Sequence, residues 1–170
     1  LGTYRKPMWS SVGRWVLWTD TLEASVWRAR YPGGGAERLG RGIAMGFWSD
    51  EGGQDWLIVG ERPMAVGGNI HCGRVVRRRL WDLEREVLWD QGPVSMDSLS
   101  LDVDGATAVG AIPWPEVGVL DLENGERRVE MEGCWPGLVP GSPGVISVFD
   151  GAHRNLRMLA PAAGRAWRVQ

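Results

Sequence analysis

Lysine is almost missing from this chain: of its 19 basic residues only Lys6 is a lysine, and the rest are arginines. Two explanations stand side by side, arginine kept for bidentate pairing and stacking and a GC-rich coding bias. Phenylalanine and tyrosine number two each, too few to supply the large aromatic packing of a core. No apolar run approaches the ~18 residues that a membrane-spanning helix needs. No secretory signal is visible. The chain opens on Leu1 rather than methionine, which leaves export an open question. A net charge of −2 gives no drive towards nucleic acid or an anionic membrane. The only cysteines, Cys72 and Cys134, are far apart and form no Cys-x-x-Cys motif. They are either a disulfide of an exported protein or two separate buried thiols.

Glycine, proline and tryptophan are what the chain has in quantity. Its 25 glycines and 10 prolines among 170 residues suit tight turns rather than helices. The 11 tryptophans take over the large-aromatic packing, a role suited to pleated β surfaces. The length is enough for one domain with its own core.

One pattern recurs. A turn ending in glycine is followed by an apolar β-run, a second β-run, another turn and a polar closing strand. The clearest copy begins Trp9-Ser10-Ser11-Val12-Gly13 and continues as Arg14-Trp15-Val16-Leu17-Trp18. Ser25 to Tyr31 is its second strand, Pro32-Gly33-Gly34-Gly35 its turn, and Ala36 to Leu39 its outer strand. Gly13, Gly53, Gly105 and Gly144 mark successive copies at a period of about 40 residues, the spacing of propeller blades. The units span residues 8–40, 45–90, 97–131 and 134–169. The expected fold is therefore all-β, a β-propeller of four blades in one domain over residues 1–170, either a small closed ring or an arc.

Two stretches need interpretation. Glu61 to Gly73, with Pro63, Gly67 and Gly68, reads as a long inter-strand loop that stretches the second unit. Arg79 to Trp89 has near-helical spacing at Leu80, Leu83 and Val87, but strands are preferred because the repeat expects a hairpin there.

With the repeats laid out, the chain resembles the TolB-type, WD40-like propeller repeat. Trp9-Ser10-Ser11-Val12-Gly13 with Val26-Trp27 and Gly33-Gly34-Gly35-Ala36-Glu37-Arg38-Leu39 carries the resemblance. Leu101-Asp102-Val103-Asp104-Gly105 with Val119-Leu120-Asp121-Leu122, and Trp135-Pro136 with Val148-Phe149, repeat it. Ser-Pro-Asp-Gly, the turn of that family, is intact in none of the units. The resemblance implies a periplasmic or secreted propeller that binds proteins or accompanies a catalytic domain.

Catalytic and metal-binding patterns are weak. His71, His153, Cys72 and Cys134 lack zinc-module spacing. Asp102-Val103-Asp104-Gly105 lacks the further ligands of a calcium loop and reads as a turn. Ser142, His153 and Asp150 can be written as a triad, but Gly141-Ser142-Pro143-Gly144 is not a nucleophile elbow. Gly33-Gly34-Gly35 opens no helix and is no phosphate loop, so nothing points to a cofactor. Arg77-Arg78-Arg79 alternates across a strand and reads as solvated surface.

Tryptophan carries the functional expectation. Trp15, Trp18, Trp27 and Trp56 lie within β-runs and are read as packing between blades. Trp9, Trp48, Trp114 and Trp135 lie near turns or strand entries, where exposed indoles serve as sugar platforms or protein hot spots. His153 joins them as a candidate binding residue. The leading expectation is a non-catalytic propeller for protein interaction or self-association. A carbohydrate-binding propeller and an accessory propeller of a larger enzyme are the alternatives.

Overall fold

The computed structural model describes residues 4–10, 13–66, 69–96 and 99–169. Ser11 and Val12 of the first turn, Gly67 and Gly68 of the expected loop, and Asp97 and Ser98 at the entry to the third unit lie outside the described residues.

Four antiparallel sheets form in chain order, each a simple meander. Blade one is β1 (Tyr4–Trp9), β2 (Trp15–Asp20), β3 (Ser25–Arg30) and β4 (Ala36–Arg41). Blade two is β5 (Ile43–Ser49), β6 (Asp55–Val66), β7 (Asn69–Arg79) and β8 (Arg85–Trp89), with the short β9 (Val94–Ser95) added to β7. Blade three is β10 (Leu99–Leu101), β11 (Thr107–Ala111), β12 (Glu116–Asp121) and β13 (Glu126–Glu132). Blade four is β14 (Cys134–Leu138), β15 (Ile146–Phe149), β16 (Leu156–Ala160) and β17 (Arg165–Arg168), with a 3-10 turn at Pro161–Ala163. The first strands of neighbouring blades touch one another, so they lie nearest the axis, as propeller geometry requires.

The repeated turn is a physical unit. Gly13, Gly53 and Gly105 hold φ of +67°, +72° and +67°, a region open to glycine at no steric cost. Each donates its N–H to the carbonyl three residues earlier, on Ser10, Asp50 and Asp102. The side chains of Ser10 and Asp50 also accept backbone N–H groups from the residues that re-enter the sheet, Arg14 and Gln54.

Burial follows the strand period. Leu17 and Val26 of blade one meet Leu57, Val59 and Val76 of blade two in one cluster. Ile58 and Val75 point the other way and meet Ala108 and Leu120 of blade three. The unbroken apolar run Trp56–Val59 is thus explained: β6 is covered on both faces.

The Glu61–Gly73 segment is not a loop. Met64 pairs with His71, Ala65 with Ile70 and Val66 with Asn69, so β6 and β7 run on as one long hairpin. Pro63 is tolerated because β5 stops pairing with β6 at Gly60, which leaves the rest of β6 an edge that needs no N–H at that position. Leu80 to Glu84 is a turn, with strands on either side as preferred.

The arginine run is not solvated surface. Its side chains do alternate, but each is paired. Arg77 bonds Glu86 at 2.7 Å and lies over the rings of Trp48 and Trp56. Arg78 bonds Glu61 and the Leu39 carbonyl, both at 3.0 Å. Arg79 pairs with Asp82 and Glu84 and lies over Trp56. A planar guanidinium stacks on an indole where an ammonium would not fit as flatly.

Blades pack in sequence order, one on two, two on three and three on four. Among the described residues, no comparable interface joins blade four to blade one.

Candidate functional site

Three of the five candidate binding residues come together at one end of blades three and four. Trp114 sits in the Ile112–Pro115 connection between β11 and β12, and Trp135 in the bulged start of β14. His153 sits in the turn between β15 and β16. They line one pocket of about 280 Å³ with Asn69, Ser95, Ala111, Cys134 and Gly151. Ala111, Ser95 and Cys134 are buried and form its floor, while the three aromatic rings are exposed at its rim.

The aromatic rim has a defined geometry. The Trp135 and His153 rings stack with centroids 4.6 Å apart and planes 19° apart. Phe149 meets Trp135 edge-on at 6.0 Å. The Trp114 indole N–H donates to Cys134 Sγ at 3.2 Å. Both Trp135 and His153 occupy left-handed backbone, φ +49° and +55°, which costs a side-chain-bearing residue about 1–2 kcal/mol.

A polar floor lies beneath. The Trp114 backbone N–H donates to Ser95 Oγ at 3.1 Å, and the same oxygen lies 3.1 Å from His71 Nδ1. Ser95 and His71 are each 2% exposed and face each other across the β7–β9 ladder. Asp150, which anchors the His153 turn, accepts the Arg154 N–H and a bond from the Asn155 amide. Those bonds hold its carboxyl below the usual carboxylate range, the Arg154 backbone N–H first among them.

The other two candidates lie elsewhere. Trp9 stacks edge-to-face with Tyr31 on blade one, centroids 5.1 Å apart. Trp48 is half-buried and given over to packing: its indole N–H donates to the Asp102 carbonyl at 2.9 Å, and its ring covers Gly105. Sequence reasoning passed over Trp81, which is 78% exposed in the Leu80–Glu84 turn, and Trp167, 46% exposed on β17. It also missed Asn69 and Ser95. One signal was available for the pocket tryptophans, since both Trp114 and Trp135 precede a proline, and Pro also precedes Trp114.

Of the two readings of the cysteines, the structure shows the separate buried thiols and not the disulfide. Cys72 and Cys134 are both free and buried. Cys72 lies in blade two beneath Ile43 and Met96, whereas Cys134 opens blade four and takes the Trp114 N–H. Burial pushes the Cys72 thiol up to about 11. The written triad is not assembled either, because Ser142 and His153 lie at opposite ends of β15. Among the described residues no three His, Cys, Asp or Glu side chains are grouped to hold a metal.

No protein-family model and no curated protein matches the chain. Solved structures do. The chain aligns over 99% of its length with 65% of a chain in the nidogen/laminin complex, TM-score 0.68 and 18% identity. It aligns over 98% of its length with 51% of the RRP9 WD40-repeat chain, TM-score 0.66 and 8% identity. It also aligns with 28% of puromycin hydrolase, TM-score 0.56 and 15% identity. The chain thus spans less than two thirds of the length of each. At these identities the likeness shows the fold, and the fold is a β-propeller.

Proposed function

We propose that this chain is a non-catalytic propeller module that works outside the cytoplasm by binding and assembling with protein. The observation that carries this is the apolar character of the outer faces of blades one and four. On blade one, Leu17 and Val26 bury themselves against blade two. Strand alternation then turns Val16, Trp18, Trp27 and Ala29 to the other face, where all four are only half-buried. On blade four, Ile146 and Val148 are buried. Their alternates place Phe149 opposite Leu156, and Ser147, Met158 and Trp167 in one cross-strand row. Propeller blades are stable by stacking on neighbours, and contiguous apolar faces mark protein contact.

Two further points support the reading. Nidogen is seen bound to laminin in one of the similar structures, which fits a protein partner. The TolB-type resemblance fits a place outside the cytoplasm. Ser95, the hydroxyl that touches a histidine, is occupied by the Trp114 N–H and serves the architecture rather than a nucleophile's role. The puromycin hydrolase likeness covers 28% of that chain and supports an accessory role beside an enzyme only in outline.

A charge on the outer face of blade four tests the assembly role. Met158→Asp is expected to shift the chain towards smaller species in sedimentation velocity and to leave its thermal midpoint nearly unchanged. Association that is indifferent to Met158→Asp and to Trp167→Asp contradicts it.

A further inference from the structure

We propose that the pocket between blades three and four binds a single neutral saccharide ring, seated on the Trp135–His153 stack. This activity is separate from the protein contacts of those outer faces. The chemistry of the lining selects the ligand class. The side chains that line it carry no carboxylate, arginine or lysine. A phosphate-bearing ligand would find no arginine or lysine in the lining, and an organic cation, although the indole faces attract one, would leave the amide oxygen and N–H groups of Asn69 without matching hydrogen-bonding groups.

The remaining groups suit a polyol. The rim offers flat aromatic surface, and the apolar C–H face of a sugar ring fits such a surface. Asn69 adds a side-chain amide to the lining. An amide presents both donors and an acceptor, which is what a ring hydroxyl, itself donor and acceptor, requires. A purely apolar partner, such as an aromatic side chain, would leave that amide unpaired at a desolvation cost. At about 280 Å³ the space lies just below the usual range of about 300–1,000 Å³ for drug-sized ligands, room for one ring rather than a chain of them.

The backbone adds an independent observation. Trp135 and His153 both sit at left-handed φ, where glycine or asparagine would be cheaper. Strain of this kind gathers at ligand sites, because the side chain so displayed is what the site uses. Of the five non-glycine residues at positive φ among the described residues, two are the two stacked rings of the pocket. The rest of the local structure holds them: the Asp150 carboxylate caps the His153 turn, and the Trp114 N–H engages the sulfur next to Trp135.

The test is titration of the folded chain with glucose, galactose and N-acetylglucosamine, read by tryptophan fluorescence and calorimetry. Glucuronic acid and AMP serve as charged comparators. A saturable response to at least one neutral sugar is expected, with weaker or no response to the comparators. Trp135→Ala should weaken it about two- to tenfold, the scale of a lost aromatic contact. Asn69→Ala should weaken it severalfold, with the melting curve unchanged. If Trp135→Ala does not fold, Asn69→Ala and Trp135→Phe decide. The proposal is overturned if no neutral sugar saturates, if a charged comparator binds better, or if the folded variants bind as the parent does.

Discussion

Glu61 shows how one side chain joins several strands. It accepts from Arg85 Nε at 3.1 Å and Nη2 at 2.6 Å, and from Arg78 Nη2 at 3.0 Å. Arg78 in turn reaches the Leu39 carbonyl of blade one. The Arg85 hydrogen bonds, with Arg78 behind them, hold the Glu61 carboxyl below its ordinary value of 4.5. A carboxylate lowered on folding adds stability that is complete above the unfolded value and lost as pH falls through the folded one. Glu61→Gln should therefore cost about 1–3 kcal/mol at pH 7, the scale of hydrogen bonds to charged groups. The gap between variant and parent in denaturant melts should close as the pH is lowered below about 4. An equal gap at pH 7 and at pH 3 would show that Glu61 does not carry the effect through its charge.

At the scale of the elements, the strands were legible wherever a turn signal and strand alternation coincided. Gly53 and Gly105 stand at left-handed turns, and the runs that follow them, Asp55–Val59 and Thr107–Ala111, lie in β6 and β11. Legibility failed where the sheet edge changed the rules. Pro63 signalled a loop, yet it stands on the unpaired edge of a long hairpin. The three-residue stretch from Val94 to Met96 gave no signal at all, because a two-residue strand has too short a period to read. That short β9 matters for the pocket: it brings Ser95 to the Trp114 N–H and to His71. The tryptophans of the site were visible as exposed-turn candidates. Their meeting was not, because it depends on the stacking of two blades and on a hairpin reaching over from a third. Ser95→Ala removes the hydroxyl that links β9, β7 and the Trp114 connection. It should lower stability by about 1–2 kcal/mol in urea unfolding, the scale of a buried hydrogen-bonding group left unpaired. An unchanged midpoint would mean that β9 is held by its ladder to β7 alone.

At the largest scale the described residues form four blades stacked in order, with three interfaces between them, two of them rich in aliphatic side chains, and with half-buried tryptophan and methionine on the outer faces of blades one and four. The repeat period announced the blades. It did not reveal what the outer faces of blades one and four carry, since that depends on strand register and packing rather than on any single copy of the repeat. Their apolar side chains make assembly the central claim, and the sugar pocket is independent of it. The direct measurement is solution mass by light scattering over a wide range of protein concentration. A mass above the single-chain 18.7 kDa that climbs with concentration is the predicted result. A mass that stays at 18.7 kDa throughout the range would contradict it.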